Sequence, residues 1–395
     1  MSLAEVSEYG TVTIPFELTE ADHRMLLNPK LRKHIKLVPG PGSSWQVKAG
    51  DVVGVLQLTN GPIQIRPKIK ISGAMLLNWL HYALDPQKPF DPPDKNWDVG
   101  GTHFSDMVVR ALLNECVALS RGELRRDYQS HDSVEGVLRG RLDLVRQATR
   151  RYGMVDRLHV RTFERTADIW ENQVCGAALR HVATTADNMH HRAEALRLLV
   201  RFPECSGKAA LKILARARHN RLNHRYRAAH TWAAVILRAG GVRDLYLDGD
   251  LVGASQLLDM PVLWERVVQR MVDTTTITPI EVGRPGRPPA RYTPDAVVVT
   301  PTGRLAIDAK YKNYDTRNVT RDDIHQLLTY ASAYRMSDTD RLHTAIVYPS
   351  TSAAEPRLIK VDFGGNRLAE IDLVGVDVTV RPEVNATVLR ERFHS

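Results

Sequence analysis

The sequence is poor in the features that mark secreted and membrane proteins. Among 395 residues there are only three cysteines, Cys116, Cys175 and Cys205, and their odd number and wide spacing argue against a disulfide framework or a paired-cysteine zinc site. No run approaches the roughly 18 uncharged apolar residues of a membrane span, and the opening MSLAEVSEYG lacks the basic and apolar regions of a signal peptide. We therefore expect a soluble, cytoplasmic protein with reduced, buried cysteines.

Nucleotide-binding and DNA-reading motifs are also missing. The closest approach to the phosphate-binding loop GxxxxGK[ST] is CSGKAA at residues 205–210, which lacks the first glycine. The chain has no zinc-finger spacing or other familiar DNA-reading module either. We expect no nucleotide motor in this chain, so any nucleotide-driven step would belong to a partner.

What the sequence does have is an uneven positive charge. The net charge is +9, and residues 101–250 alone hold 25 basic against 17 acidic residues, with 23 of the basic ones arginine. A basic segment of this kind suits a polyanion such as double-stranded DNA. The alternative is that these arginines only form solvated helix faces.

Length and pattern indicate an α+β or α/β protein of several domains. Residues 1–100 read as a small β-rich module, with a hairpin at Asn60-Gly61, an apolar helix around residues 75–84 and a proline-rich loop at 86–101. Residues 101–250 read as mainly helical, interrupted by short strands within 133–147. Residues 251–395 read as a helix, a hairpin, a second helix and further strands, the last at DVTV (377–380).

The hairpin within RYTPDAVVVTPTGRLAIDAKYKNY, residues 291–314, carries acidic residues on otherwise apolar strands. If residues 300–303 form the loop, Val299 pairs with Arg304 and Asp295 faces Asp308. Side chains alternate along a strand, so Lys310 shares the face of Asp308. The alternative is an ordinary solvated strand face.

Two facing carboxylates about 5 Å apart repel each other unless a cation lies between them. Oxygen ligands suit Mg²⁺ or Mn²⁺, so Asp295 and Asp308 are the predicted metal ligands. A bound metal activates water and stabilises charge on a phosphate, and Lys310 would stand beside the same atoms. The pattern predicts phosphodiester hydrolysis.

Two flanking helices add candidates. In DMPVLWERVVQRMV, Asp259 is a predicted N-cap, and Glu265 is a candidate catalytic residue unless it is simply exposed. In TRDDIHQLLTYASAY, Thr320 and Asp323 form a predicted capping box. Gln326 and Tyr330 lie four residues apart on one face of that helix; Gln326 is a candidate for orienting water or DNA, and Tyr330 is either a site residue or core.

The order helix, hairpin, helix, strand resembles the core of the PD-(D/E)xK nucleases. The combination of GVLQL and IQIRPKI near the N-terminus with GVLRGRLD, LWERVV, TPDAVV and IDAKYK resembles the McrC family of 5-methylcytosine-dependent restriction systems over most of the chain. That resemblance implies a Mg²⁺-dependent DNA endonuclease subunit in phage defence, with Asp295, Asp308 and Lys310 at the site. It also implies a McrB-like AAA+ ring as partner, which binds GTP and recognises the methylated base, and whose GTP hydrolysis is stimulated by docking of the N-terminal module.

Two other functions stay open from sequence alone. The chain could be a catalytically degenerate activator of the partner GTPase, or a self-sufficient nuclease or resolvase. The presence of all three hairpin residues disfavours the first, and the absence of a reading module disfavours the second. Dimerisation of nuclease domains is expected, because one site of this kind cuts one strand.

Overall fold

A computed structural model gives the architecture of most of the chain. The residues that it describes are 4–29, 31–42, 44–84, 104–186, 188–237, 256–284, 287–301, 303–335, 341–353 and 355–394. The predicted proline-rich loop at 86–101 lies outside them. The prediction of a mixed α and β protein is confirmed.

The chain forms two compact units. One combines Met1–Met107 with Arg238–Ser395, and the other is Val108–Leu237. The first and last of the three segments predicted from the sequence therefore contribute to the same unit. One visible reason is a strand at Gln256–Asp259, which pairs antiparallel with Val52–Leu58 near the N-terminus.

The N-terminal part of the first unit contains two small sheets. Its strands and helices are β1 (Ala4–Ser7), β2 (Thr11–Thr13), α1 (Glu20–Leu26), β3 (Ile35–Pro39), β4 (Trp45–Ala49), β5 (Val52–Leu58), β6 (Gly61–Arg66) and α2 (Gly73–Leu84). One sheet has the order β2-β4-β3. In the other, β1, β6 and β5 lie side by side in that order, and the strand at 256–259 pairs with β5 as the fourth. The predicted β5–β6 hairpin and the helix α2 are confirmed, although the turn is at residues 59–60 and Gly61 already pairs with Leu58.

The second unit is helical with one exposed sheet. Its elements are α3 (Phe104–Ser120), β7 (Asp127–Glu135), β8 (Arg141–Leu142), α4 (Leu144–Arg150), β9 (Leu158–Thr166), α5 (Trp170–Thr185), α6 (Met189–Leu199), α7 (Gly207–Arg216) and α8 (Arg227–Leu237). The strands β7 and β9 are nine residues each and pair along their whole length, whereas the sequence predicted only short strands. Both lie largely in solvent, so they lack the apolar alternation by which strands are recognised. Cys116 and Cys175 are buried and unbridged as expected, but Cys205 is only half-buried.

The C-terminal part of the first unit is built on a five-stranded sheet. Its elements are β10 (Gln256–Asp259), α9 (Met260–Met271), β11 (Ile280–Arg284), β12 (Arg287–Tyr292), β13 (Ala296–Thr300), β14 (Gly303–Ala309), α10 (Arg321–Tyr334), β15 (Leu342–Ser350), β16 (Arg357–Phe363), β17 (Asn366–Asp377) and α11 (Pro382–His394). The sheet order is β13-β14-β15-β17-β16, with β14, β15 and β17 parallel and the two edge strands antiparallel. The predicted strand at 377–380 is wrong, because β17 ends at Asp377, and α11 was not predicted.

The register of the β13–β14 hairpin is the predicted one. Val299 pairs with Arg304 as predicted. Thr300 also pairs with Gly303, so the loop is shorter by one residue at each end than the expected 300–303. The apolar residues of these strands are buried except Val299, which is 52% exposed, and Val297 and Ala306 pack against the α10 tyrosines 330 and 334. The hairpin is therefore fixed to the helix beside it.

The two flanking helices begin where the sequence predicts. Asp259 caps α9 by accepting a hydrogen bond from the Val262 N–H, and Thr320 and Asp323 form a complete capping box at the start of α10. Such caps satisfy N–H groups that a helix leaves without partners. No helix among the described residues is both long and apolar enough to cross a membrane.

Candidate active site

The two predicted carboxylates meet at the carboxyl end of β14. Asp308 is the penultimate residue of that strand and is 1% exposed. The β13–β14 ladder ends at the pair Ala296–Ile307, and Asp295, just before it, turns its Oδ2 to accept a hydrogen bond of 2.7 Å from the Ala309 N–H. Asp295 is thus bonded to the backbone beside Asp308 and does not simply continue the ladder.

Lys310 joins this pair through its ammonium group. Its Nζ lies 2.8 Å from Asp308 Oδ2 and donates a hydrogen bond of 3.0 Å to Gln326 Oε1. Apart from this ion pair, Asp308 Oδ2 has no hydrogen-bond donor among the described residues, although it is buried. A buried carboxylate oxygen with unused acceptor capacity is suited to a cation.

A chain of hydrogen bonds from α10 holds the lysine. The amide of Gln326 accepts from Lys310 and donates through Nε2 to the Tyr330 hydroxyl at 2.9 Å. The Tyr330 hydroxyl in turn donates to the Thr293 carbonyl oxygen at 2.9 Å. The predicted spacing of Gln326 and Tyr330 on one helix face is confirmed, and Tyr330, which is buried, serves both as core and as an anchor for Gln326.

Glu265, on α9, influences the site by its charge and, among the described residues, makes no hydrogen bond to it. The Trp264 indole N–H donates to the Val347 carbonyl oxygen at 3.0 Å, which fixes α9 against β15. Glu265 is half-buried on the same helix and makes no hydrogen bond with the other four candidates, all of which the structure describes. Burial and the negative charges of Asp259 and Asp308 raise its pKa.

Burial and neighbouring charges shift the pKa values of the ionisable groups at this site. Burial, followed by repulsion from Asp308 and Glu265, raises the pKa of Asp295 to about 8. Burial also lowers the pKa of Lys310, but attraction to Asp308 and to Asp323 outweighs it, so that pKa is raised. The site therefore holds a firmly charged lysine next to a carboxyl that keeps its proton at neutral pH.

The arrangement fits a hard divalent cation. Carboxylate oxygens are the ligands that Mg²⁺ and Mn²⁺ prefer. A positive ion between Asp295 and Asp308 would oppose the two largest causes of the raised Asp295 pKa, which are burial first and repulsion from Asp308 second. The described residues contain no group of three or more His, Cys, Asp or Glu ligands already gathered. A cation here would rely on the two aspartates, with the remaining positions left to water or substrate.

Two supporting residues were not predicted. Gln269 donates from Nε2 to the Asp295 carbonyl oxygen at 2.9 Å, tying α9 to the residue before β13. Asp323 accepts from Lys312 Nζ at 3.0 Å and from the Tyr314 hydroxyl at 2.9 Å, in addition to its capping role. The capping pattern was visible in the sequence, but these longer-range bonds depend on the path of the loop after β14.

Comparison with known proteins gives a family and a fold. Residues 47–349 match a family described as McrBC 5-methylcytosine restriction system component. A chain of the refined half-complex from the tetradecameric assembly of Thermococcus gammatolerans McrB AAA+ hexamers with bound McrC is 17% identical, with a TM-score of 0.64, over 99% of this chain and 100% of that chain. A chain of the Thermococcus gammatolerans McrBC complex is also 17% identical, with a TM-score of 0.49, over 69% of this chain and 87% of that one.

No curated protein matches the sequence. The family match, however, spans more than half of the chain and includes the β5–β6 hairpin, α9, the aspartates, the lysine and α10. The chain belongs to the McrBC 5-methylcytosine restriction system component family.

Proposed function

We propose that this chain is the endonuclease subunit of a 5-methylcytosine-dependent restriction complex and hydrolyses DNA phosphodiester bonds at Asp295, Asp308 and Lys310. The observation that carries the proposal is the buried ion pair between Asp308 and Lys310 beside a carboxyl whose pKa is raised to about 8. Strongly perturbed groups gathered in this way are typical of active sites. A mixed sheet flanked by α9 and α10 supports assignment to the PD-(D/E)xK nucleases.

Asp295 and Asp308 would hold Mg²⁺, or Mn²⁺ in its place, with Glu265 the next carboxylate available. When bound, the metal supplies an activated water and stabilises negative charge on the phosphate. The protein contributes the dry, buried floor formed by Asp308 and the backbone N–H of Ala309, which orients the Asp295 carboxylate.

Lys310 would provide the positive charge for the phosphate in the transition state. Its ammonium is aimed by Asp308 and by Gln326, and Gln326 is itself fixed by Tyr330. A cation that is oriented before the reaction stabilises developing charge without reorganisation at that moment. In this account Gln326 and Tyr330 position the lysine and need not touch DNA.

We infer that the partner is a McrB-like AAA+ ring, which binds the GTP. Family membership supports this, as does the fold shared with a chain from an assembly of McrB AAA+ hexamers with bound McrC. The N-terminal module was the expected docking part, but the second unit offers a more exposed surface. Seven large apolar side chains in and between the strands of its small sheet and α4 are 61–89% exposed: Tyr128, Val137, Leu144, Val145, Tyr152, Val155 and Phe163.

Exposed apolar side chains at this density are typical of a protein-binding surface. The helix α4 has no buried residue at all, and Val160 is the one fully buried apolar residue among the described strands β7, β8 and β9. We propose that this part of the second unit docks on the ring.

The nuclease assignment is tested by cleavage of methylated plasmid by the purified chain with its AAA+ partner, GTP and Mg²⁺. We expect Asp308→Asn to lower the cleavage rate more than about a hundredfold, because it removes charge from a buried metal ligand. Asp322→Asn is the matched control, since Asp322 is exposed on α10, and should cleave like the wild type. Equal cleavage by both variants would contradict the site; stimulation of GTP hydrolysis without any cleavage would favour the activator alternative.

Asp295→Asn tests the raised pKa. Because that pKa rises from 3.8 to about 8 on folding, the folded wild type retains the proton and loses stability as the pH rises from about 4 to 8. An uncharged Asn should raise the unfolding midpoint at pH 8 without metal by several degrees, because a pKa difference of this size is worth several kcal/mol, and should make little difference at pH 4. Mg²⁺ should raise the wild-type midpoint and leave that of the variant unchanged. A lower midpoint for the variant at pH 8 would contradict this electrostatic account.

The docking surface is tested by replacing Leu144, Tyr152 and Val155 together with serine. We expect the thermal unfolding midpoint to stay within about 2 °C, because exposed side chains contribute little to stability. Stimulation of the partner's GTP hydrolysis should fall about tenfold or more. Replacement of Val384 and Val388, which are comparably exposed on α11, is the control. If the two variants stimulate equally, this surface does not bind the ring.

A further inference from the structure

Tyr311, the residue after Lys310, is held by two residues of the N-terminal part of the same unit. Its hydroxyl donates a hydrogen bond of 2.8 Å to Glu8 Oε2. Lys68 Nζ donates to the Tyr311 carbonyl oxygen at 2.7 Å and stands 4.0 Å from the centre of its ring. The hydroxyl, the ring and the backbone of Tyr311 are therefore all in contact with Glu8 or Lys68.

Glu8 and Lys68 are themselves fixed by the sheet. Glu8 follows β1 and Lys68 follows β6, and these two strands are parallel neighbours. The Glu8 N–H donates to the Arg66 carbonyl oxygen at 2.9 Å, and the Lys68 N–H donates to Glu8 Oε2 at 2.8 Å. The same carboxylate oxygen thus links Tyr311 to both strands.

The contacts of Glu8 and Lys68 with Tyr311 lie just beyond the end of β14, where the regular ladder of sheet hydrogen bonds stops. β14 ends at Ala309, and the Lys310 N–H continues its backbone bonding to β15, at 3.0 Å to the Val347 carbonyl oxygen. After that the chain turns, with the Lys312 N–H bonded to the Lys310 carbonyl oxygen. The backbone of Lys310 is therefore held on one side by β15 and on the other by Tyr311.

Burying Glu8 beside Lys68 and Tyr311 costs free energy, which argues against a purely stabilising role for these three residues. Glu8 is 5% exposed, and its Oε1 has no hydrogen-bond partner among the described residues. Burial raises its pKa to about 7. Replacing a buried ionic cluster by apolar groups of the same volume is often neutral or stabilising, so stability alone does not account for this cluster.

We propose that Glu8 and Lys68 are positioning residues for Lys310: by gripping Tyr311 they set the place of the lysine ammonium in the cleavage reaction. The proposal rests on the nuclease function proposed above. A shift of about 1 Å in a reacting group can lower a rate about a hundredfold. The required place is narrow here, because Lys310 Nζ must reach both Asp308 and Gln326.

The test uses the full chain with its partner, GTP and Mg²⁺, and compares Lys68→Met, Lys68→Arg and Tyr311→Phe. Lys68→Met keeps the apolar stem over the ring but removes the donor to the Tyr311 carbonyl. We expect kcat for cleavage, corrected for the folded fraction, to fall about tenfold or more in Lys68→Met and Tyr311→Phe, while KM for DNA stays within about twofold. Lys68→Arg should recover most of the rate. Lys70→Met, two residues away and exposed, should cleave like the wild type.

The inference is overturned if Lys68→Met and Tyr311→Phe, when folded, both cleave within about twofold of the wild type, or if their losses equal the loss of folded protein. Asp308→Asn separates this result from failure of the proposed function. If the wild type cleaves and Asp308→Asn does not, only the role of Glu8 and Lys68 is wrong. If the wild type does not cleave, both proposals fall.

Discussion

The burial of the Asp295 carboxyl beside Asp308 is the constraint on which the rest of the site depends. The sheet buries Asp308 almost completely. Burial of Asp295, followed by repulsion from Asp308 and Glu265, raises the pKa of Asp295 to about 8. A fold dominated by apolar contacts would avoid this arrangement, because like charges in a poorly hydrated place destabilise it. A single ion pair, between Asp308 and Lys310, compensates in part. The unused demand for positive charge is what makes the site suited to a divalent cation.

Three neighbouring elements keep this unfavourable cluster in place. The capping box starts α10 at a fixed residue, so Gln326 meets the lysine. The Trp264 hydrogen bond fixes α9, which carries Glu265 close enough for its charge to raise the pKa of Asp295. The third element is the pair of strands β1 and β6, which hold Tyr311 through Glu8 and Lys68. Residues next to the N-terminal sheet strands therefore bind directly to Tyr311, the neighbour of the proposed catalytic lysine.

Sequence alone predicted the local features well and the long-range ones poorly. Alternation and turn residues predicted the β13–β14 register, and cap residues predicted where α9 and α10 begin, because these depend on near neighbours. The grip on Tyr311 joins residues about 300 positions apart in the chain, and no periodicity reports such a contact. Only short strands were predicted near β7, and β9 was missed, because both strands lie largely in solvent. The strand β17 was misplaced because its first residues are polar.

The most direct test of the central claim is to locate the metal. Crystals of the chain grown with Mn²⁺ would give an anomalous difference map in which the ion is identified without assumptions about activity. The account predicts a peak within about 2.5 Å of carboxylate oxygens of both Asp295 and Asp308, with Lys310 Nζ nearby. A peak elsewhere, or none at a saturating concentration of Mn²⁺, would contradict the claim that Asp295 and Asp308 together form a cation site.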